Sequence, residues 1–316
     1  MNNTIYFDSP VSEEERRRQL YDGQLFVFSP RPSTIALCDF ARQLIQEAFG
    51  SLDPREAQHS LSVEEYAAIL GKLKPYFIHH PKSKQLLQSV LTEAGCDLER
   101  TYFDVPKMRS STSGGYLTTG IAYAWHPHRD TWYSAPHCQL NWWIPIYEIE
   151  SENAMAFHPR YWSESVRNDS DKFNRYVENK IGRGDTVATY TKEDPRLLPK
   201  PLDDLQRDPE LRIVCPVGGM IIFSGAQMHS SVPNTSGRTR FSIDFRTVHL
   251  DDVAAKRGAP NRDAACTGTT LGEFLRGTDF SRIPEDVLSL HYDGTEILGN
   301  VAYQPSELNT VSPPRR

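Results

Sequence analysis

From Thr101 to about Leu250 the chain is broken into short runs of β-branched and aromatic residues, at 102–105, 116–125, 138–149, 154–157, 212–214, 220–223 and 238–248, separated by turn residues. Runs this short cannot bury their apolar side chains singly, so they must stack in layers, as a sandwich or jelly roll. The last run shows the layering most plainly. Phe241, Ile243 and Phe245 alternate with Arg240, Ser242, Asp244 and Arg246, which puts apolar groups on one face and polar ones on the other. A polar face within a β core needs a chemical reason.

The first hundred residues have a different period. Ile35, Leu37, Phe40, Ala41, Leu44, Ile45 and Ala48 recur at helical spacing, with Gly50 as a stop. Ser62 and Glu65 form a capping box ahead of a second helix, and a third runs from about Pro81 to Gly95. The expected class is therefore α+β, as one structural domain: a helical region over 1–100 packed on a β core over 101–250, then an extension over 251–316. Within the core, residues 160–210 are charged and aperiodic, and an insertion of that length predicts a lid over a site. In the extension, Thr270 and Glu273 predict a short capped helix before Phe274 and Leu275.

Charge and cysteine usage narrow the function classes. Lys and Arg number 35 against 41 Asp and Glu, and no long basic run occurs, so nucleic acid is a poor partner. No stretch approaches the roughly 18 apolar residues that span a bilayer. The five cysteines are scattered and never form a CxxC pair, and residues 1–18 contain no apolar leader segment. These features predict a reduced, cytoplasmic protein without a membrane partner.

The chemistry concentrates in two places. His128 and Asp130, two apart, point to the same face if the chain there is extended, and His229 follows the run at 220–223. Two imidazoles and one carboxylate make the facial set that suits non-haem Fe(II) and leaves coordination positions open. An isolated His-x-Asp pair is more often a structural hydrogen bond, but Arg240 stands eleven positions beyond His229 (229 to 240), on the polar strand face. A guanidinium there can hold the far carboxylate of a dicarboxylate through paired hydrogen bonds, with Ser231 and Ser242 as added hydroxyl donors. Gln139 shares a strand face with Asn141 and is expected as a further cosubstrate contact. Of the aromatics around the motif (Trp125, Trp132, Tyr133, Trp142 and Trp143), Trp132 is expected to face the site mouth with Asp130. His158, Arg160 and Arg246 are expected substrate contacts, and His126 is expected to support the site without coordinating.

His128-Arg-Asp130, the Gly218-Gly219 turn before His229, and Arg240 beyond it together resemble the Fe(II)- and 2-oxoglutarate-dependent oxygenases, in particular the phytanoyl-CoA dioxygenase and ectoine hydroxylase branch. The resemblance covers roughly residues 100 to 250. It implies a double-stranded β-helix (cupin-like jelly-roll) core, Fe(II) held by His128, Asp130 and His229, and 2-oxoglutarate anchored by Arg240. It also implies a reaction with dioxygen that hydroxylates or desaturates an unactivated carbon of a small-molecule metabolite and releases succinate and CO2. Two other readings use the same residues: a mononuclear zinc hydrolase, which leaves Arg240 without a task, and a non-catalytic cupin-like binder of metal or metabolite.

Overall fold

The computed structural model describes residues 4–118, 122, 126–181 and 198–295. In chain order the strands are β1 (Ile5–Phe7), β2 (Leu25–Phe28), β3 (Thr101–Phe103), β4 (Lys107–Ser111), β5 (Leu140–Pro145), β6 (Met155–Phe157), β7 (Leu211–Ile213), β8 (Met220–Ser224), β9 (His229–Ser231), β10 (Arg240–His249) and β11 (Leu275–Arg276). The helices are α1 (Glu13–Tyr21), α2 (Pro32–Phe49), α3 (Val63–His79), α4 (Pro81–Glu93), α5 (Arg175–Ile181), α6 (Leu250–Ala254) and α7 (Glu285–Leu288). Residues 119–121, 123–125 (Trp125 among them) and 182–197 of the expected lid lie outside the described residues.

The strands form two sheets. The larger runs β1-β2-β8-β5-β10-β3-β11, with β4 also paired to β10, and the smaller runs β7-β6-β9. Pairing is antiparallel except between β1 and β2. Helices α2, α3 and α4 cover one face of the larger sheet, where Phe26, Phe28, Trp142, Ile144, Ile222, Phe241, Ile243 and Phe245 pack into one cluster with Leu37, Ile45, Leu70 and Leu87. On its other face Val27, Trp143, Ile221 and Phe223 meet Met155, Phe157 and Ile213 of the smaller sheet. Alternation along β10 thus sends its phenylalanines and isoleucine to the helices and turns Arg240, Ser242, Asp244 and Arg246 to the side facing the smaller sheet.

The three expected N-terminal helices form where the periodicity placed them. In α3, Ser62 accepts from the Glu65 backbone, and the Glu65 carboxylate accepts from the Ser62 backbone N–H at 2.9 Å. The helix expected after Thr270 does not form. Thr270 makes no capping hydrogen bond, the turn is a three-residue 3-10 helix at Leu271–Glu273, and the chain then pairs with β3 as β11. A strand edge competes for these backbone groups and wins over a weak local signal. No described helix is long and apolar enough to cross a membrane.

Candidate metal centre and its cavity

The backbone brings the two expected ligand histidines together. His128 and His229 form an isolated antiparallel bridge, the N–H of each donating to the carbonyl of the other at 3.0 Å. Arg129 is extended (φ −111°, ψ 140°), so His128 and Asp130 fall on one side of the chain and Arg129 on the other. The Asp130 N–H then donates to the Gly225 carbonyl at 2.8 Å, which ties the segment to the turn preceding β9. Glycine suits position 225, where a Cβ would stand 3.3 Å from Gln139 Nε2.

Three buried ligand atoms, one each from His128, Asp130 and His229, lie within 4.8 Å of one another. Asp130 Oδ1 is 3.5 Å from His128 Nε2 and 3.8 Å from His229 Nε2. The tautomers follow from the other ring nitrogens. His128 Nδ1 is 2.8 Å from the His126 carbonyl and His229 Nδ1 is 2.9 Å from the Gln227 carbonyl. A carbonyl only accepts, so each Nδ1 carries a proton and each ring turns its Nε2 to the centre. Burial pushes His229 down to about 3, which keeps its ring neutral. Burial would raise the Asp130 carboxyl, but the neighbouring Arg246 guanidinium outweighs it and holds the group well below the usual carboxylate range. An imidazole lone pair facing a carboxylate oxygen is repelled unless a cation lies between the two, so the donor set fits a divalent metal.

Asp130 Oδ2 is occupied otherwise: Gln139 Nε2 and Asn141 Nδ2 each donate to it at 2.9 Å, and Arg246 Nε lies 3.5 Å away. Gln139 is therefore placed on the carboxylate, not only beside the expected cosubstrate site. Arg246 also pairs with Asp244 at 3.2 Å and Asp104 at 3.4 Å.

The centre opens into a cavity of about 330 Å³ that also contains Arg240, Ser231, Gln139 and Arg246. Arg240 Nη1 donates to the Asn153 carbonyl at 2.9 Å, and the guanidinium lies over Trp143, 5.6 Å from the ring centroid. Its Nε is buried without a hydrogen-bond partner, as is the Oγ of Ser110, which lines the same cavity. Burial pushes Arg240 down to about 10, which leaves it a cation at neutral pH. A buried cation with an open donor is a receptor for an anion. Ser242 lies on the same face of β10, but it is fully buried and is not among the residues lining the cavity.

Three expected substrate contacts lie elsewhere. Trp132 is fully buried against Tyr161, Val166 and Met228, and its indole N–H donates to Asp263 at 2.7 Å. The reason is that the chain coils into a 3-10 helix at Asp130–Tyr133, whose three-residue turn places Tyr133 above Asp130 and swings Trp132 away. Tyr133 lines the cavity instead. His158 is buried, with Nε2 3.0 Å from Ser230 Oγ, and Arg160 is exposed near Glu164; neither lines the cavity. His126 Nε2 is 2.8 Å from the Pro199 carbonyl and does not join the ligand set.

The wall that the sequence did not suggest is built from ion pairs. Lys107 pairs with Asp104, and Arg109 Nε donates to Asp244 at 2.7 Å, all four lining the cavity beside Arg246. From the described part of the insertion, Phe173, Arg175 and Glu178 line it too, and Arg175 is held by two 2.6 Å hydrogen bonds to Glu273. Arg109 with Asp244 and Arg175 with Glu273 are 135 and 98 positions apart, which leaves no local pattern to read.

No protein-family model matches the chain, and no curated protein matches it. Among solved structures it is similar to EvdO2 from Micromonospora carbonacea var. aurantiaca complexed with 2-oxoglutarate, at 12% identity and a TM-score of 0.41, covering 76% of this chain and 92% of that one. It is also similar to the epimerase SnoN in complex with Fe3+, alpha ketoglutarate and nogalamycin RO, at 10% identity and a TM-score of 0.38, covering 75% and 85%. A third is ThoJ, a non-heme monooxygenase in apo form, at 12% identity and a TM-score of 0.36, covering 68% and 70%. At TM-scores this low the likenesses establish neither fold nor chemistry for this chain.

Proposed function

We propose that this protein is a non-haem Fe(II)- and 2-oxoglutarate-dependent oxygenase that hydroxylates an unactivated carbon of a polar small molecule, and that its core is a double-stranded β-helix. The observation that carries the reading is one cavity holding both the His128, Asp130 and His229 donor set and Arg240 with its buried, unfilled Nε. A zinc hydrolase needs the first feature and has no use for the second.

Fe(II) with 2-oxoglutarate and dioxygen supplies the oxidising power to break a C–H bond, one oxygen atom going to the substrate and the other to succinate, with CO2 released. The protein's residues do the rest. His128 Nε2, His229 Nε2 and Asp130 Oδ1 hold the metal, while Gln139 and Asn141 keep Oδ2 turned away from it. Arg240 takes the distal carboxylate of 2-oxoglutarate, with Ser231 and Ser110 as hydroxyl donors in the same cavity. Phe173, Tyr133 and Phe274 restrict water, and the paired charges of Asp104, Lys107, Arg109 and Asp244 give the substrate wall donors and acceptors of both signs. Such a wall suits a polar metabolite and disfavours a long acyl chain, which would desolvate it without replacing its hydrogen bonds. Alkene formation or ring closure would differ only in how the substrate lies.

Anaerobic addition of Fe(II) and 2-oxoglutarate tests the assignment. A weak visible charge-transfer band is expected, lost in Asp130→Ala, together with oxygen-dependent succinate formation. Zinc at purification and oxygen-independent hydrolysis would replace this reading with the hydrolase one.

A further inference from the structure

Arg129, between two of the metal-binding residues in sequence, makes no contact with the cavity. Its side chain is 1% exposed and points to the opposite side of the chain. There Nε donates to Asp263 at 3.0 and 3.2 Å to its two oxygens, Nη1 donates to the Ala226 carbonyl at 2.8 Å, and Nη2 donates to the carbonyls of Tyr161 and Glu164 at 2.5 and 2.9 Å. Asp263 in turn accepts from Trp132 Nε1 at 2.7 Å and from the Val166 N–H at 2.8 Å. One buried ion pair therefore joins the His128–Asp130 segment, the turn that leads into His229, the start of the insertion and the C-terminal extension.

We infer that Asp263, acting through Arg129, is a positioning residue for the metal centre: it fixes the direction in which His128 and Asp130 leave the backbone relative to His229. The inference rests on the triad being the metal site. Extended backbone at Arg129 is what puts its two neighbours on one side, and a guanidinium bonded to four partners at once holds that backbone and the Ala226 turn in one register. The extension reinforces it nearby: the Cys266 thiol lies 3.1 Å from the Thr131 carbonyl, and Ser134 Oγ donates to the Thr267 carbonyl at 2.7 Å. Gly258 packs so closely on this segment that a Cβ there would stand 2.4 Å from the His137 carbonyl carbon. Residues beyond 250, outside the motif-bearing core, would on this account set the metal affinity.

The test is anaerobic titration of the full-length apoprotein with Co(II), read by ligand-field absorption, alongside thermal unfolding of the same samples without metal. Asp263→Asn and Arg129→Lys are expected to bind Co(II) some 10- to 100-fold more weakly than the wild type and to alter the intensity of the band. Asp279→Asn, which removes the charge of the ion pair with Arg276 on the same extension but away from the cavity, is expected to stay within about twofold of the wild type in Co(II) affinity. Equal affinity in all three, or lowered unfolding temperature with unchanged affinity in Asp263→Asn, would reduce Asp263 to a structural role. If Asp263→Asn does not fold, Arg129→Lys decides, because lysine keeps the charge but cannot span the same four partners. Wild-type protein that binds no Co(II), or binds it equally well in His229→Ala, overturns the metal reading and this inference with it.

Discussion

His128 and His229 hold one another through the backbone, each N–H donating to the other's carbonyl at 3.0 Å. The separation of the two imidazoles is therefore set by a strand-like bridge and not by a metal. A metal centre built this way would exist before its ion arrives, unlike a zinc finger, whose folding and metal binding are one event.

Chelator treatment should accordingly leave the fold in place. Far-UV circular dichroism of the metal-free protein is expected to match that of the loaded protein. Metal should then add stability by mass action alone, about 2.7 kcal/mol at a hundredfold excess over Kd. Thermal unfolding before and after reloading measures this. Loss of secondary structure on chelation would contradict the preformed bridge.

Gln139 and Asn141 both donate to the Asp130 oxygen that faces away from the histidines. Replacing Asn141 with leucine leaves that oxygen with one donor fewer and lets the carboxylate rotate. Metal affinity is expected to fall about 10- to 100-fold. The KM for 2-oxoglutarate at saturating metal should hold within about twofold. Gln139→Leu should behave in the same way; a change confined to the 2-oxoglutarate KM would instead place Gln139 on the cosubstrate.

How much of this was legible in the sequence depended on distance along the chain. The α2 and α3 helices were readable because period and capping are local, and so was the two-faced β10. The spacing of His128, Asp130, His229 and Arg240 pointed to one site, and all four line one cavity. Trp132 lies away from the cavity because strand parity does not carry the two residues from Asp130 to Trp132, which coil into a 3-10 turn. Arg129 to Asp263 and Arg175 to Glu273 were invisible, since a charged pair 134 or 98 positions apart has no periodic signature. Strands β1 and β2 also escaped, being three and four residues long and stabilised by partners elsewhere.

Arg240 offers a sharper test of the cosubstrate than of the metal. Arg240→Lys keeps a cation but loses the fork that matches a carboxylate, and Arg240→Met loses both. The KM for 2-oxoglutarate is expected to rise at least about tenfold in the first and further in the second, in line with roughly 1.5–3 kcal/mol for a hydrogen bond to a charged group. Co(II) affinity without 2-oxoglutarate should not move. Equal KM values in wild type and Arg240→Met would remove Arg240 from the cosubstrate site.

Lys74 connects the helical layer to the charged wall. It is buried on α3, and burial, with Arg109 nearby, pushes it down to about 7 against the opposing influence of Asp244. From pH 7 toward its ordinary value near 10.5 the unfolded chain binds a proton that the folded chain does not, so raising the pH stabilises the fold. Between pH 7 and pH 9 this group should contribute about 2 kcal/mol of added stability. Buried Cys38, Cys138 and Cys215 act oppositely above pH 9, because burial raises each thiol to about 12 and the unfolded chain loses its protons first. The comparison is therefore confined to pH 7–9, with Lys74→Met as the reference. Urea unfolding of both proteins should show the wild type gaining on the variant as pH rises, and parallel curves would mean that Lys74 keeps its charge inside the fold.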